Sequence, residues 1–223
     1  INDPVSKFIP AYAKTTVADA AQIGTPVTPA RRQVTIRDLL THTAGISYGT
    51  EPVVAERYRA AGLGPAAGLG WYTADKDEPI CTTMERLASL PFVAQPGAEW
   101  VYGYNTDILG CVVERASGKP LDEFIRTRIT EPLGMKDTTF WPTAEQLKRL
   151  ATPHKVNAPK TGLETNTISQ LRYPLDERPK RFPMPAGGLF STAADVAKFC
   201  QMMLNGGRPP EGNRSKSEWK HRG

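Results

Sequence analysis

The sequence contains few cysteines and histidines, and none of them has the spacing of a metal site. Its three cysteines, Cys81, Cys111 and Cys200, are far apart and form no CxxC pattern. Neither a disulfide framework nor a zinc site is therefore expected. We expect no metal and no cofactor, and we expect Cys111 and Cys200 to be small residues of the core, because both lie within apolar helical patterns.

Long hydrophobic runs and basic stripes are also missing. No apolar stretch approaches the roughly 18 residues that a membrane-spanning helix needs, so no membrane span is expected. The net charge is only +5, and the basic residues are scattered along the 223 positions. A nucleic-acid-binding protein would more often show a basic stripe with interleaved aromatic residues, so no nucleic-acid partner is expected. A hydrophobic content of 39% argues against a disordered chain.

Helical patterns dominate the rest of the sequence. Thr35 followed by Asp38 is typical of a helix N-terminus, and Gly118 is typical of a helix C-terminus. Apolar periodicity predicts helices over 35–40, 84–90, 107–117, 120–129 and 193–204. Strand patterns are short, at 53–54 and 188–190, and no series of alternating segments indicates a complete sheet.

The long segments 45–80 and 151–190 are predicted to be loops, because they are rich in glycine or proline. The chain begins without a methionine or a signal peptide, which indicates a piece that starts within a domain. We predict a partial domain over 1–207, followed by a polar tail over 208–223.

The segment Gly45-Ile46-Ser47-Tyr48-Gly49 matches the G-x-S-x-G pattern of α/β-hydrolases, in which the serine is a nucleophile. Asp137 and His154 follow Ser47 in the order that such a triad requires. However, a capped helix rather than a strand precedes Ser47, so a loop is the favoured interpretation. Lys160-Thr161-Gly162 is expected to be an exposed loop, and the formal S-x-x-K of Ser217 and Lys220 lies in the polar tail.

The aromatic segment around Tyr102 is a further candidate. Trp100-Val101-Tyr102-Gly103-Tyr104 follows a Gln-Pro-Gly turn and precedes a predicted helix. A tyrosine acts as a base at neutral pH only where nearby cations lower its pKa from about 10. On local evidence alone, packing and catalysis both remain open for these tyrosines.

Several segments taken together resemble the serine β-lactamase-related family, which contains class C β-lactamases, DD-peptidases and esterases that share one fold. They occur in the following order: Asp3-Pro4-Val5, 35–46 (TIRDLLTHTAGI), Leu90-Pro91, Gln95-Pro96-Gly97, Trp100-Val101-Tyr102, Leu109-Gly110, Glu131-Pro132-Leu133-Gly134-Met135 and 186–193 (AGGLFSTA). The resemblance covers roughly residues 1–207, and the ordered set is specific although no single segment is.

The resemblance implies an α+β fold of the β-lactamase/transpeptidase type, of which this chain holds mostly the helical subdomain, with the antiparallel sheet largely missing. It implies that Tyr102 is the catalytic tyrosine. Trp100 gives a W-x-Y arrangement that is more similar to the esterases, and Tyr104 stands where β-lactamases have an asparagine that contacts substrate. Gly187 and Gly188 are implied to lie near the mouth of the site, so Trp100, Tyr104, Gly187 and Gly188 are candidate substrate-binding residues.

The family nucleophile belongs to an S-x-x-K motif upstream of Asp3, and the third family motif lies on a later strand. The resemblance therefore implies a serine hydrolase that acts on small-molecule esters or amides as a full-length protein, whereas this chain alone is expected to be inactive. Two alternatives remain open. One is a non-catalytic binding module that uses the Trp71-Tyr72 loop, and the other is an α/β-hydrolase that uses Ser47.

Overall fold

The computed structural model describes residues 1–18, 26–64, 73, 76, 78–166 and 183–209. Its α-helices are α1 (Ile36–Leu40), α2 (Pro52–Ala60), α3 (Ile80–Leu87), α4 (Asn105–Ser117), α5 (Leu121–Ile125), α6 (Glu131–Leu133), α7 (Ala144–Lys148) and α8 (Ala193–Leu204). A π-helix (Arg126–Thr130) joins α5 to α6, and two short 3₁₀ helices (Val5–Lys7 and Pro10–Ala13) precede the first strand.

Four short strands form two antiparallel pairs among the described residues. Strand β1 (Thr16–Ala18) pairs with β2 (Val27–Pro29), and Thr16 lies opposite Pro29. Strand β3 (His154–Val156) pairs with β4 (Leu163–Thr165). The described residues are mostly helical and contain two small sheets, which confirms the predicted α+β class and the predominance of the helical subdomain.

Helix ends that depend on residues close together in the sequence were predicted correctly. The Thr35 side chain accepts a hydrogen bond from the Asp38 N–H, and Asp38 in turn accepts from the Thr35 N–H, which forms the expected capping box of α1. Helix α4 ends at Gly118, whose φ of 69° is the left-handed conformation expected there. Helix α8 has the predicted bounds, and Thr192 caps it by accepting from the Asp195 N–H.

Several local predictions were wrong, including the strand over 188–190, where Phe190 alone forms a bridge, to Thr139. The helix predicted over 84–90 spans Ile80–Leu87 instead and begins directly after Pro79, and the hydroxyl of Thr83 inside it donates to Glu78. Residues 53–54, predicted as a strand, belong to α2, since Pro52 occupies the first turn and favours helix initiation there. The predicted loop 45–80 therefore contains α2 and the first residue of α3. The predicted loop 151–190 contains the β3–β4 hairpin.

The main core lies between α1, α2, α3, α4 and the N-terminal segment. Its largest fully buried side chains are Tyr12, Tyr58, Tyr104, Phe92, Ile9, Leu39, Ile46, Leu63, Ile80, Met84, Leu87 and Ile108. At the edge of this core, Arg32 forms two hydrogen bonds to the buried Asp38 carboxylate. Burial would raise the pKa of Asp38, but the hydrogen bonds from Arg32 and Thr35 outweigh burial and lower this pKa to about 2.

A second buried carboxylate ties α8 to the segment after α6. Asp195 accepts hydrogen bonds from the Asp137 N–H and the Thr138 hydroxyl, and it forms an ion pair with Lys198. Residues 135–138 and the N-terminus of α8 are therefore held together, although about 57 positions separate them in the sequence. None of the described helices is long and apolar enough to cross a membrane.

The structure corrects the expectation for the cysteines. Cys81 in α3 and Cys111 in α4 form a disulfide, whereas Cys200 in α8 is free and exposed instead of buried. The two bonded cysteines lie in the core, and they meet because α3 packs against α4. Sequence spacing could not reveal this pairing, since the two helices approach each other only in the folded chain.

Candidate functional site

Tyr102 lies on an exposed connection that enters α4. The Val101 N–H donates to the His42 carbonyl oxygen at 2.7 Å, which fixes the connection against the segment after α1. A Cβ atom at Gly103 would lie 2.2 Å from the Ile46 carbonyl oxygen, so only glycine permits this approach of the two backbones. The side chain of Tyr102 is 58% exposed and available to a ligand.

A series of aromatic rings leads from the surface at Trp100 into the core. Trp100 and Tyr102 are stacked with centroids 5.9 Å apart, and Tyr48 meets Tyr102 edge-on at 5.6 Å. Tyr48 also contacts Tyr104 at 4.8 Å, and Tyr104 stacks on Tyr58 at 6.5 Å. The exposed rings are therefore supported from below by buried ones, which restricts their positions.

Trp100 and Tyr102 form one side of an open cleft of about 620 Å³. The described residues that line it are Tyr48, Thr50, Glu51, Val53, Val93, Glu99, Trp100, Val101 and Tyr102. Tyr48 lies between Gly45 and Gly49, which both have positive φ, a conformation that glycine adopts readily. The cleft thus combines aromatic faces with two carboxylates.

Of the described aromatic rings, the imidazole of His42 packs most closely against Tyr102, with the two centroids 5.0 Å apart. Its Nδ1 lies 2.9 Å from the Asn105 amide nitrogen, and that nitrogen also donates to the Val101 carbonyl oxygen. Burial lowers the pKa of His42, which favours the neutral ring with Nδ1 as the acceptor. His42 therefore links the segment after α1 to the first residue of α4, Asn105.

Asp107, in the first turn of α4, is the buried acid nearest in sequence to Tyr102. Its side chain is 1% exposed, one of its carboxylate oxygens has no hydrogen-bond partner in the described part of the chain, and Thr73 is a hydrogen-bonding neighbour. Burial raises the pKa of Asp107 from 3.8 to about 7, although a hydrogen bond from Thr73 partly opposes the shift. In the folded protein the carboxyl group of Asp107 is therefore mostly protonated below about pH 7.

We expect Asp107 to make stability depend on pH between 5 and 8. Because the folded-state pKa is raised, protonated Asp107 contributes stability fully below about pH 4, and this contribution is lost as the pH rises through 7. Relative to Asp107→Asn, the wild-type chain should lose about 2–3 kcal/mol of unfolding free energy between pH 5 and pH 8. Urea denaturation of both proteins at each pH measures the difference, and parallel pH profiles would contradict it.

The remaining residues with predicted substrate roles lie elsewhere. Tyr104 is fully buried and its hydroxyl accepts a hydrogen bond from the Gly64 N–H at 2.8 Å, which favours a packing role. Gly187 and Gly188 are not among the described residues that line the cleft, and neither has a positive φ. At Gly188 a Cβ atom would lie 2.9 Å from the Met184 carbonyl oxygen, so glycine permits a close backbone approach there. Trp100 is the only one of these four candidates that lines the cleft with Tyr102.

The structure does not assemble a triad around Ser47. Ser47 is fully buried, and its hydroxyl accepts from the Gly49 N–H in a local turn. Asp137 is paired with Arg149, and His154 lies exposed in β3. Lys160 occupies the predicted exposed turn, between β3 and β4.

Some predictions fall outside the described residues: the Trp71-Tyr72 loop, the Ser217 motif and 210–223 of the predicted tail. Within the described part of the chain, no group of three or more His, Cys, Asp or Glu residues is arranged to hold a metal ion.

Sequence reasoning missed Tyr48, Glu51 and Glu99 as residues of the cleft. The only signal for Tyr48 was the pair of glycines that flank it, and these glycines also belong to the pattern around Ser47. Glu51 and Glu99 are separated by 48 positions and have no motif in common. Only the fold brings them to the same cleft.

Comparisons with known proteins agree with this architecture. The family profile described as Beta-lactamase matches residues 1–223. The Mycobacterium tuberculosis protein Rv1367c is 32% identical over 93% of this chain and 48% of its own length, and Esterase EstB of Burkholderia gladioli is 28% identical over 95% and 52%. The structure of simvastatin synthase LovD from Aspergillus terreus superposes with a TM-score of 0.67 at 30% identity, over 91% of this chain and 47% of LovD. The chain spans about half the length of the curated relatives that it matches.

Proposed function

This chain belongs to the Beta-lactamase family, whose fold is shared by serine hydrolases and acyltransferases, and on that premise we propose that the whole protein hydrolyses small carboxylic esters. The observation that carries the proposal is the position of Tyr102. The tyrosine that the family resemblance implies to be catalytic is exposed at the edge of an open cleft. The similarity to Esterase EstB supports ester substrates over β-lactams.

The proposed reaction is acyl transfer through a covalent intermediate. A serine hydroxyl of an S-x-x-K motif upstream of Asp3 attacks the ester carbonyl, and its proton passes to the lysine and tyrosine bases. Tyr102 then returns a proton to the departing alkoxide, which leaves as the alcohol. Water hydrolyses the acyl-enzyme by the same proton transfers in reverse.

In this proposal His42 is a positioning residue for Tyr102. The Val101 N–H is bound to the His42 backbone, and the His42 ring packs beside Tyr102. Both contacts restrict the position of the Tyr102 hydroxyl, and positioned groups account for much of the efficiency of proton transfer. Asn105 fixes the ring of His42 in turn.

The test compares this chain with the parent protein that carries the upstream motif, using p-nitrophenyl butyrate as substrate. We expect no enzymatic turnover by the 223-residue chain. In the parent, Tyr102→Phe should lower kcat by about 100-fold, since general acid–base groups contribute roughly 10²–10⁴ in rate.

Tyr104→Phe is the matched control for Tyr102→Phe. It also removes one phenolic hydroxyl, but that hydroxyl binds the Gly64 backbone in the core. We expect kcat to remain within about three-fold of wild type while stability falls by about 1 kcal/mol. Turnover by the short chain alone, or a parent that is unaffected by Tyr102→Phe, would contradict the proposal.

A further inference from the structure

The cleft beside Tyr102 has a composition that indicates the substrate class. We propose that it binds an alkylammonium group of the substrate, through the faces of Trp100, Tyr48 and Tyr102 and the charges of Glu51 and Glu99. This inference concerns the same site and rests on the proposed function, because it requires that Tyr102 faces the substrate.

The aromatic part of the cleft suits an organic cation. Trp100 is 65% exposed and lies nearly parallel to Tyr102, with 16° between the ring planes. Tyr48 stands edge-on to Tyr102, with 76° between the ring planes, so its face is turned away from the common direction of the Trp100 and Tyr102 faces. A cation within about 6 Å of such faces is attracted by the ring quadrupole, most strongly by tryptophan.

The two carboxylates supply charge that the described residues leave unneutralised. One Glu51 oxygen accepts from the Thr50 hydroxyl, and the other is buried without a hydrogen-bond partner among the described residues. Neither Glu51 nor Glu99 forms an ion pair with any residue of the described ranges, although many other acids of the chain do. Two negative charges in one cleft, neither of them paired with a described residue, favour a positively charged ligand.

The sign of this charge is opposite to that of the whole chain. The sequence carries a net charge of +5, yet none of the described residues lining the cleft is lysine or arginine. Val53 and Val93 complete the wall with apolar surface. A ligand with a cationic centre and attached alkyl groups matches both features, whereas a strongly hydrated inorganic cation would leave the apolar wall without a partner.

The test measures binding of choline and of its neutral isostere, 3,3-dimethyl-1-butanol, to this chain at about pH 7.5. Changes in the indole N–H signals of the ¹⁵N-labelled protein report binding, and Trp100→Phe identifies the Trp100 signal. We expect choline to shift the Trp100 signal and to bind about ten-fold more tightly than the isostere, as cation–π attraction and charge predict.

Paired substitutions separate the charge of the cleft from charge in general. Glu51→Gln combined with Glu99→Gln should weaken choline binding by about five-fold or more and leave the isostere unchanged. Glu56→Gln is the control for Glu51, because Glu56 is exposed on α2, the helix that begins directly after Glu51, and does not line the cleft. It should change choline affinity by less than about two-fold.

Equal affinity for choline and the isostere, or an unchanged affinity in the double Gln variant, would overturn the proposal. The binding experiment requires no turnover, so it is independent of the esterase assay. Choline selectivity without esterase activity in the parent would refute the proposed function and keep the cation site. Esterase activity without choline selectivity would do the reverse.

Discussion

Reduction of the Cys81–Cys111 disulfide is expected to lower the free energy of unfolding by about 3–4 kcal/mol, the value of the chain-entropy relation for a loop of this size. The bond crosslinks residues 30 positions apart, between α3 and α4. Without it the unfolded chain regains the entropy of that loop. Urea denaturation with and without dithiothreitol measures the difference.

Two variants make this prediction specific. Cys200→Ser removes the free, exposed cysteine and should leave the effect of dithiothreitol intact. Cys81→Ala combined with Cys111→Ala should lower stability by a similar amount and abolish the sensitivity to the reductant. If the double variant responds to dithiothreitol as the wild type does, the bond is not the source of the stability.

The disulfide also bears on the candidate site, because α4 begins three residues after Tyr102. Cys111 is fully buried in the middle of that helix, and the aromatic series that supports Tyr102 passes through Tyr104 at its N-terminus. Holding α4 against α3 therefore helps to fix the support of the cleft. Local sequence patterns carry no information about this connection.

The parts of the fold that the sequence could predict depend on residues close together in the chain. The Thr35 and Asp38 capping box, the Gly118 terminus and the Thr192 cap each involve groups within four positions of one another. Such contacts are encoded by side-chain chemistry and spacing alone. The family resemblance added the fold class and Tyr102, which no local rule would have supplied.

The parts that could not be predicted depend on contacts between distant segments. Glu78 accepts hydrogen bonds from Thr83 and Arg86, and α3 begins at Ile80, four residues before the predicted start. In the site, Glu51 and Glu99 reach one cleft because the 93–105 segment crosses the segment after α1. Neither arrangement leaves a periodic or motif-like trace in the sequence.

That crossing makes Gly45→Ala the second substitution with a large expected effect. Gly45 has a φ of 78°, and a Cβ atom there would lie 2.0 Å from the Ala94 carbonyl oxygen. The left-handed conformation costs about 1–2 kcal/mol for alanine, and overpacking against a backbone adds about 1–3 kcal/mol. We expect a loss of about 3–4 kcal/mol, or roughly 10 °C in Tm.

Gly118→Ala separates the two causes. Gly118 has a similar φ of 69°, but nothing lies within 4 Å of the position that a Cβ atom would take there, so only the conformational cost of about 1–2 kcal/mol applies. Calorimetry on both variants should therefore show the larger loss at Gly45. Since the Gly45 carbonyl accepts from the Val93 N–H at 2.9 Å, the excess loss measures how tightly the two segments that build the cleft are packed together. Equal losses would mean that the two segments can move apart at Gly45 without a loss of stability. Tyr48 and Tyr102 would then not be held in the fixed positions that the proposed chemistry requires.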